Sequence, residues 1–303
     1  MKLFRKSITA ITVLVIFYFL VTNLIRNWHK IPWDSLQVNL VNLLVSFIFL
    51  FINFVIFVKA WQKIIYSLSD TITFANAFWI MSASQLAKYV PGGIWFALGR
   101  IFLGKGESLK AETIGVSVVI ETILTLLVGI VLFFSSIFST TYGFDQHLLF
   151  LIPIALFFIV LLHPMIMNKL INWALHILKR QKIHFHITYL KIFFLSLYFF
   201  GLWIAQIIGF YFLINSIYPI PFSKIFNLAA AYTLSWMSGF IVLFAPGGLG
   251  VREGMMSLLL SSFIPSPLAI AISFLSRVWI TIFEVVIFFI GIAVHKSTKG
   301  TPT

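Results

Sequence analysis

The chain has 303 residues, of which 61% are apolar and 10% charged, with a net charge of +13 and no cysteine. A soluble chain carries roughly 25% charged residues, so a chain this apolar and this poor in charge has lipid as its solvent. The positive balance does not mark a nucleic-acid binder: the basic residues fall between apolar runs, as membrane orientation signals do, and form no basic face interleaved with aromatics. Absent cysteine excludes disulfides, thiol nucleophiles and thiolate metal sites.

In chain order, Lys2, Arg5 and Lys6 precede an apolar stretch that runs to about Leu24. No small-x-small cleavage site follows, so the stretch is expected to remain as a first span. Further apolar segments lie at about 40–58, 73–103, 113–138, 148–167, 191–217, 225–264 and 268–293. Around 20 apolar residues cross a bilayer, and most of these segments suit one crossing. Two are longer and broken, at Pro91-Gly92-Gly93 and at Pro246-Gly247-Gly248-Leu249-Gly250. Proline and paired glycines stop a helix. A broken helix at membrane depth is tolerated only where protein or water satisfies the freed backbone groups.

Lysine and arginine set the orientation. The N-terminus, loops 59–72, 104–112 and 168–191, and the tail carry 14 of them, against 3 in loops 26–39, 139–147 and 218–224. The richer set is expected in the cytoplasm, with both termini. Segments 73–103 and 225–264 must then enter and return, from opposite sides. The expected fold is all-α and integral to the inner membrane, with about six spanning helices plus two re-entrant broken-helix pairs. It forms a single transmembrane domain over 1–303, a first repeat at about 40–138 and an inverted second at about 191–293. The residues carry the repeat too. Tyr89-Val90-Pro91-Gly92-Gly93 matches Phe244-Ala245-Pro246-Gly247-Gly248, and Glu121 and Arg277 follow their prolines by 30 and 31 residues.

Seven charges fall in or beside the broken segments and their spans: Lys88, Arg100, Arg252, Arg277, Glu121, Glu253 and Glu284. A charge at the bilayer centre costs about 2.5–3.5 kcal/mol on insertion scales, so each should pair, face the bundle interior or line a cavity. Arg277 and Glu284 share a helix face but lie roughly 10 Å apart along the axis, so each needs another partner. A half-helix that begins after Pro-Gly-Gly offers free N–H groups and a dipole that favours anions. Arg100 and Arg252 then hold phosphate through their planar forks, or they end half-helices at the interface and snorkel. Glu121 and Arg277 either line a path or form structural ion pairs. Ser84 and Gln85 bond either a ligand or a neighbouring helix. Trp28, Trp33 and Trp61 suit an aromatic belt. Glu107 and Glu112 suit a solvated loop. No nucleophile elbow, zinc motif or nucleotide loop is present, so no enzyme activity, metal or cofactor is expected.

Ser84-Gln85-Leu86-Ala87-Lys88-Tyr89-Val90-Pro91-Gly92-Gly93-Ile94-Trp95 through Gly99-Arg100 resembles one signature of a known family. Pro246-Gly247-Gly248-Leu249-Gly250-Val251-Arg252-Glu253-Gly254 resembles its second, more specific one, and Glu121 and Arg277 fit its charged positions. The family is the lysylphosphatidylglycerol synthase transmembrane region, the flippase-like membrane half of the multiple peptide resistance factor. The first motif departs from the pattern, being apolar through Phe96 with Arg100 later. The resemblance implies translocation of an anionic or head-group-modified lipid, such as a polyprenyl-linked one, in envelope biogenesis. Phospholipid or a lipid-linked sugar is the implied ligand. Arg100, Arg252, Gly92, Gly93, Gly247 and Gly248 would bind the head group, and Glu121, Glu253, Arg277 and Glu284 would line or gate the path. With Thr303 soon after the last span, no aminoacyl-transfer domain is expected. The alternative is a non-transporting membrane scaffold for a glycosyltransferase, which stand-alone members of the family are associated with.

Overall fold

A computed structural model describes residues 38–68, 70–89, 95–161, 163–177, 188–242, 248 and 250–299. All the regular structure among them is helical. The helices are α1 (Leu40–Ser67), α2 (Phe74–Leu86), α3 (Trp95–Lys105), α4 (Ala111–Leu161), α5 (Pro164–Ile177), α6 (Tyr189–Asn215), α7 (Ile225–Ile241), α8 (Val251–Leu260) and α9 (Ser266–Lys299). A 3-10 turn at Ala87–Tyr89 extends α2.

Among the described residues, four helices are long and apolar enough to cross a membrane: α1, α4 over Ala111–Ile137, α6, and α9 over Ser266–Ser297. Helices α2, α3, α7 and α8, of 13, 11, 17 and 10 residues, are shorter. At 1.5 Å per residue, the 13 residues of α2 and the 10 of α8 reach about 20 Å and 15 Å, short of a hydrocarbon core of about 30 Å. The two long apolar segments are therefore interrupted, as their Pro-Gly-Gly runs predict. The expected first span at 8–25 lies outside the described residues.

Two boundaries differ from expectation. α1 continues nine residues past 58, because Lys59, Gln62 and Lys63 are good helix formers and nothing breaks the chain there. The expected external loop at 139–147 is helical, within an α4 of 51 residues. Polarity suggested a loop, but a polar stretch ends a helix only if it contains a breaker. Gly143 alone costs about 1 kcal/mol, and Pro153 inside α4 is of a kind that membrane helices accommodate. The chain turns at His163-Pro164, where proline suits the first position of α5.

The helices in most extensive contact are α1 and α6, an antiparallel pair whose seam forms an axis of the fold. The N–H of Asn39 donates to the Ser216 carbonyl at 2.8 Å, Asn42 Nδ2 to the Asn215 carbonyl at 3.0 Å, and Asn53 Nδ2 to the Leu202 carbonyl at 2.7 Å. Gly209 lets the helices meet closely, since a Cβ there would lie 3.2 Å from Phe49 and 3.3 Å from the Ser46 carbonyl. Small residues at such crossings let membrane helices gain dispersion contacts that lipid would otherwise supply. Around this axis α2 packs on α9 and α4 on α7, while α3 and α8 contact the helices on either side of them. Trp61, Trp203, Trp279, Phe199, Phe210 and Tyr232 are almost wholly buried. Leu40, Phe102, Ile241, Leu258 and Phe289 are exposed, as suits a surface solvated by lipid.

Candidate functional site

The break between α2 and α3 brings α3 back beside α4. Arg100 lies one turn before the end of α3 and is 1% exposed. Its Nη1 donates to Glu121 Oε2 on α4 at 2.6 Å. The guanidinium also sits 5.5–6.0 Å from the ring centroids of Phe57, Trp61 and Phe96, a range in which cation–π attraction operates. Trp61 is not part of an aromatic belt. It is fully buried, its Nε1 donates to Ser117 Oγ at 2.8 Å, and its ring lies against the Arg100 guanidinium.

The second break is built on glycine. Gly248 has φ +71° and Gly250 φ +84°, backbone that favours glycine. A Cβ on Gly248 would also fall 2.8 Å from Gly239 Cα and 2.9 Å from its carbonyl oxygen. Gly248 thus lets α7 and the approach to α8 cross at backbone distance. The N–H of Gly250 donates to Glu253 Oε2 at 2.6 Å, so the chain's own carboxylate already caps α8. Glu253 Oε1 faces Arg277 Nε of α9 at 3.9 Å. The next-door Arg252 is 8% exposed and donates from Nη2 to the Tyr232 hydroxyl at 2.7 Å. A third ion pair, Lys88 with Glu284, joins the end of α2 to α9.

These groups surround one cavity of about 300 Å³. Lys88, Arg100, Arg252 and Arg277 line it together with Glu121, Glu284 and Gly248, and neutral polar side chains complete the wall. The sequence-predicted Arg100, Arg252, Glu121, Arg277, Glu284 and Gly248 therefore meet at one place. Glu253 is buried but stands behind the wall, holding Gly250 and facing Arg277. Gly92, Gly93 and Gly247 lie outside the described residues. Burial rules out the snorkelling alternative for Arg100 and Arg252. Arg277 and Glu284 do each have a partner on another helix, as their separation requires.

Tyr232, Gln206 and Thr122 also line the cavity and were not singled out from the sequence. Gln206 was legible as an amide in the middle of an apolar span, a residue of the kind that marks a pathway. Tyr232 gave no signal, since aromatics are abundant throughout. Gln85 faces the cavity, whereas Ser84 donates to the Met81 carbonyl of its own helix. Glu107 is not simply solvated. It accepts from Asn76 Nδ2 at 2.5 Å and lies 4.0 Å from His295 Nδ1, tying the 106–110 turn to α2 and α9.

A family model described as the lysylphosphatidylglycerol synthase TM region matches residues 7–287. No curated protein matches the chain. The match covers every residue of the cavity wall, helices α1 to α8 and α9 as far as Ile287, and the chain belongs to the lysylphosphatidylglycerol synthase transmembrane-region family.

Proposed function

We propose that this integral membrane protein translocates an anionic lipid between leaflets of the cytoplasmic membrane, passing the head group through the charged cavity while the tails stay in lipid. The observation that carries the reading is the cavity itself. Stability alone is a poor account of its four cations, because replacing buried ion pairs by well-packed apolar residues is often neutral or stabilising. Charges at such depth mark substrate or ion pathways more often than they mark scaffolding. The family supports a flippase-like protein of lipid-modifying systems.

The arrangement of the helices supports the reading of two inverted units. α1 and α6, the first helices of the units, are antiparallel. The remaining contacts exchange, α2 with α9 and α4 with α7, as a two-fold relation between units would require. In such transporters the site lies where the broken helices of two repeats meet. On this reading both termini are cytoplasmic, the cavity performs no bond-making step, and the ligand is a phospholipid or lipid-linked sugar.

The test is head-group accessibility in proteoliposomes. Protein is expected to speed transbilayer exchange of an anionic lipid above that of protein-free vesicles, and Arg252→Ala is expected to abolish the gain with the protein still folded. Exchange at the protein-free rate for phosphatidylglycerol, phosphatidic acid and a prenyl-phosphoryl sugar would refute transport. Co-purification with a glycosyltransferase that survives Arg252→Ala would then favour the scaffold.

A further inference from the structure

Resting on that reading, the charge balance of the cavity narrows its ligand. Three of its cations face carboxylates within 4 Å: Arg100 with Glu121, Lys88 with Glu284, and Arg277 with Glu253. Arg252 differs. Its partner is the neutral hydroxyl of Tyr232, over whose ring the guanidinium also lies at 5.2 Å, and no carboxylate is within ion-pair distance of it among the described residues. Formal charge in and just behind the wall is therefore four positive against three negative. The N-terminus of α8 adds little for a ligand, because Glu253 already takes the Gly250 N–H.

The neutral wall supplies the second observation. Gln206 Nε2 and Arg100 Nε are buried and have no hydrogen-bond partner in the protein, and both residues line the cavity with Gln85 and Thr122. A buried donor without an acceptor costs about 1–3 kcal/mol, and a small rotation of either side chain would bring its N–H to an acceptor oxygen in the cavity. The volume of about 300 Å³ is at the small end of ligand pockets, sized for a head group.

We infer that the cavity selects a lipid phosphodiester of single negative charge with a neutral, hydroxylated head group, and rejects head groups that carry an ammonium. The single charge neutralises Arg252. A phosphomonoester or diphosphate would bury a second negative charge with no cation left to meet it, and an uncompensated buried charge is expensive. An aminoacylated or aminoalkyl head group would bring its cation among four others, with each acid already facing a cation. Hydroxyls of a glycerol or sugar give Gln206, Gln85 and Thr122 their acceptors.

The experiment is native mass spectrometry of the full purified chain with equimolar lipids of matched acyl chains. The lipids are phosphatidylglycerol, phosphatidylmethanol, phosphatidic acid and lysylphosphatidylglycerol. Phosphatidylglycerol is expected to be retained at least tenfold over phosphatidic acid and lysylphosphatidylglycerol, and several-fold over phosphatidylmethanol. Gln206→Leu should erase the last preference alone. Arg252→Gln should reduce phosphatidylglycerol to the level of bulk lipid. Tyr232→Phe, which removes the hydroxyl holding Arg252 and no charge, should weaken retention part-way and serves if Arg252→Gln does not fold. Equal or better retention of lysylphosphatidylglycerol or phosphatidic acid overturns the inference. Lipid exchange without this preference sinks the inference and leaves transport standing, whereas the preference without exchange upholds it and removes transport.

Discussion

Replacing Arg100 by methionine tests whether its pair with Glu121 is a buried charge pair in energetic terms. The two side chains are 1% and 9% exposed and 2.6 Å apart. Removing one partner of such a pair costs about 3–5 kcal/mol, mostly for the charge left uncompensated. Methionine keeps contact with Phe57, Trp61 and Phe96, so the loss is of charge rather than volume. For a chain of this size about 2 °C of melting temperature is lost per kcal/mol, extrapolating from soluble proteins, so Arg100→Met is expected to melt about 6–10 °C below the parent. The double variant Arg100→Met/Glu121→Leu leaves no orphan charge and should recover most of that loss. Thermal unfolding in detergent, followed by intrinsic fluorescence, reads both. A single variant within about 2 °C of the parent, or a double variant no more stable than Arg100→Met, would refute the argument.

Gly248→Ala should be severe, because it strains a φ of +71° and drives a Cβ to 2.8 Å from Gly239 Cα. Gly99→Ala is its control, with nearest contacts of 3.7 Å and beyond, and folded yield by size-exclusion chromatography should separate the two. The native absence of cysteine makes thiol labelling in oriented vesicles clean. Lys63→Cys and Lys110→Cys should label from one face, and Ser223→Cys and Ser262→Cys from the other. Labelling of Lys63→Cys and Lys110→Cys from opposite faces would mean that α2 and α3 cross rather than return, and the inverted-unit reading would fail.

Much of this arrangement was legible because a membrane makes charge expensive. Arg100, Glu121, Arg252, Arg277 and Glu284 stood out against apolar neighbours, and the two Pro-Gly-Gly runs showed where the long segments divide. What the sequence withheld was pairing. Arg277 and Glu284 share a helix, and nothing in their spacing says that one reaches Glu253 on α8 and the other Lys88 on α2. The role of Tyr232 is decided by where α7 sets it relative to Arg252, a fact of tertiary geometry. The 139–147 stretch misled because composition reports solvation, while only a breaker reports a helix end.

The ion pairs also explain why one cation is left over. On the two-unit reading a short helix in each unit is tied to the long helix that follows it, but the polarity is reversed. α3 offers Arg100 to Glu121 of α4, whereas α8 offers Glu253 to Arg277 of α9. The reversal follows from the cap. The carboxylate of Glu253 is drawn to the Gly250 N–H at the positive end of α8, and from there it faces the cation on α9. With the acid of α8 so engaged, the neighbouring Arg252 turns to the hydroxyl of Tyr232. Lys88, from the other unit, takes Glu284. A carboxylate that served as both helix cap and counter-ion thus leaves the cavity one positive charge in excess, at the residue best shaped to hold phosphate.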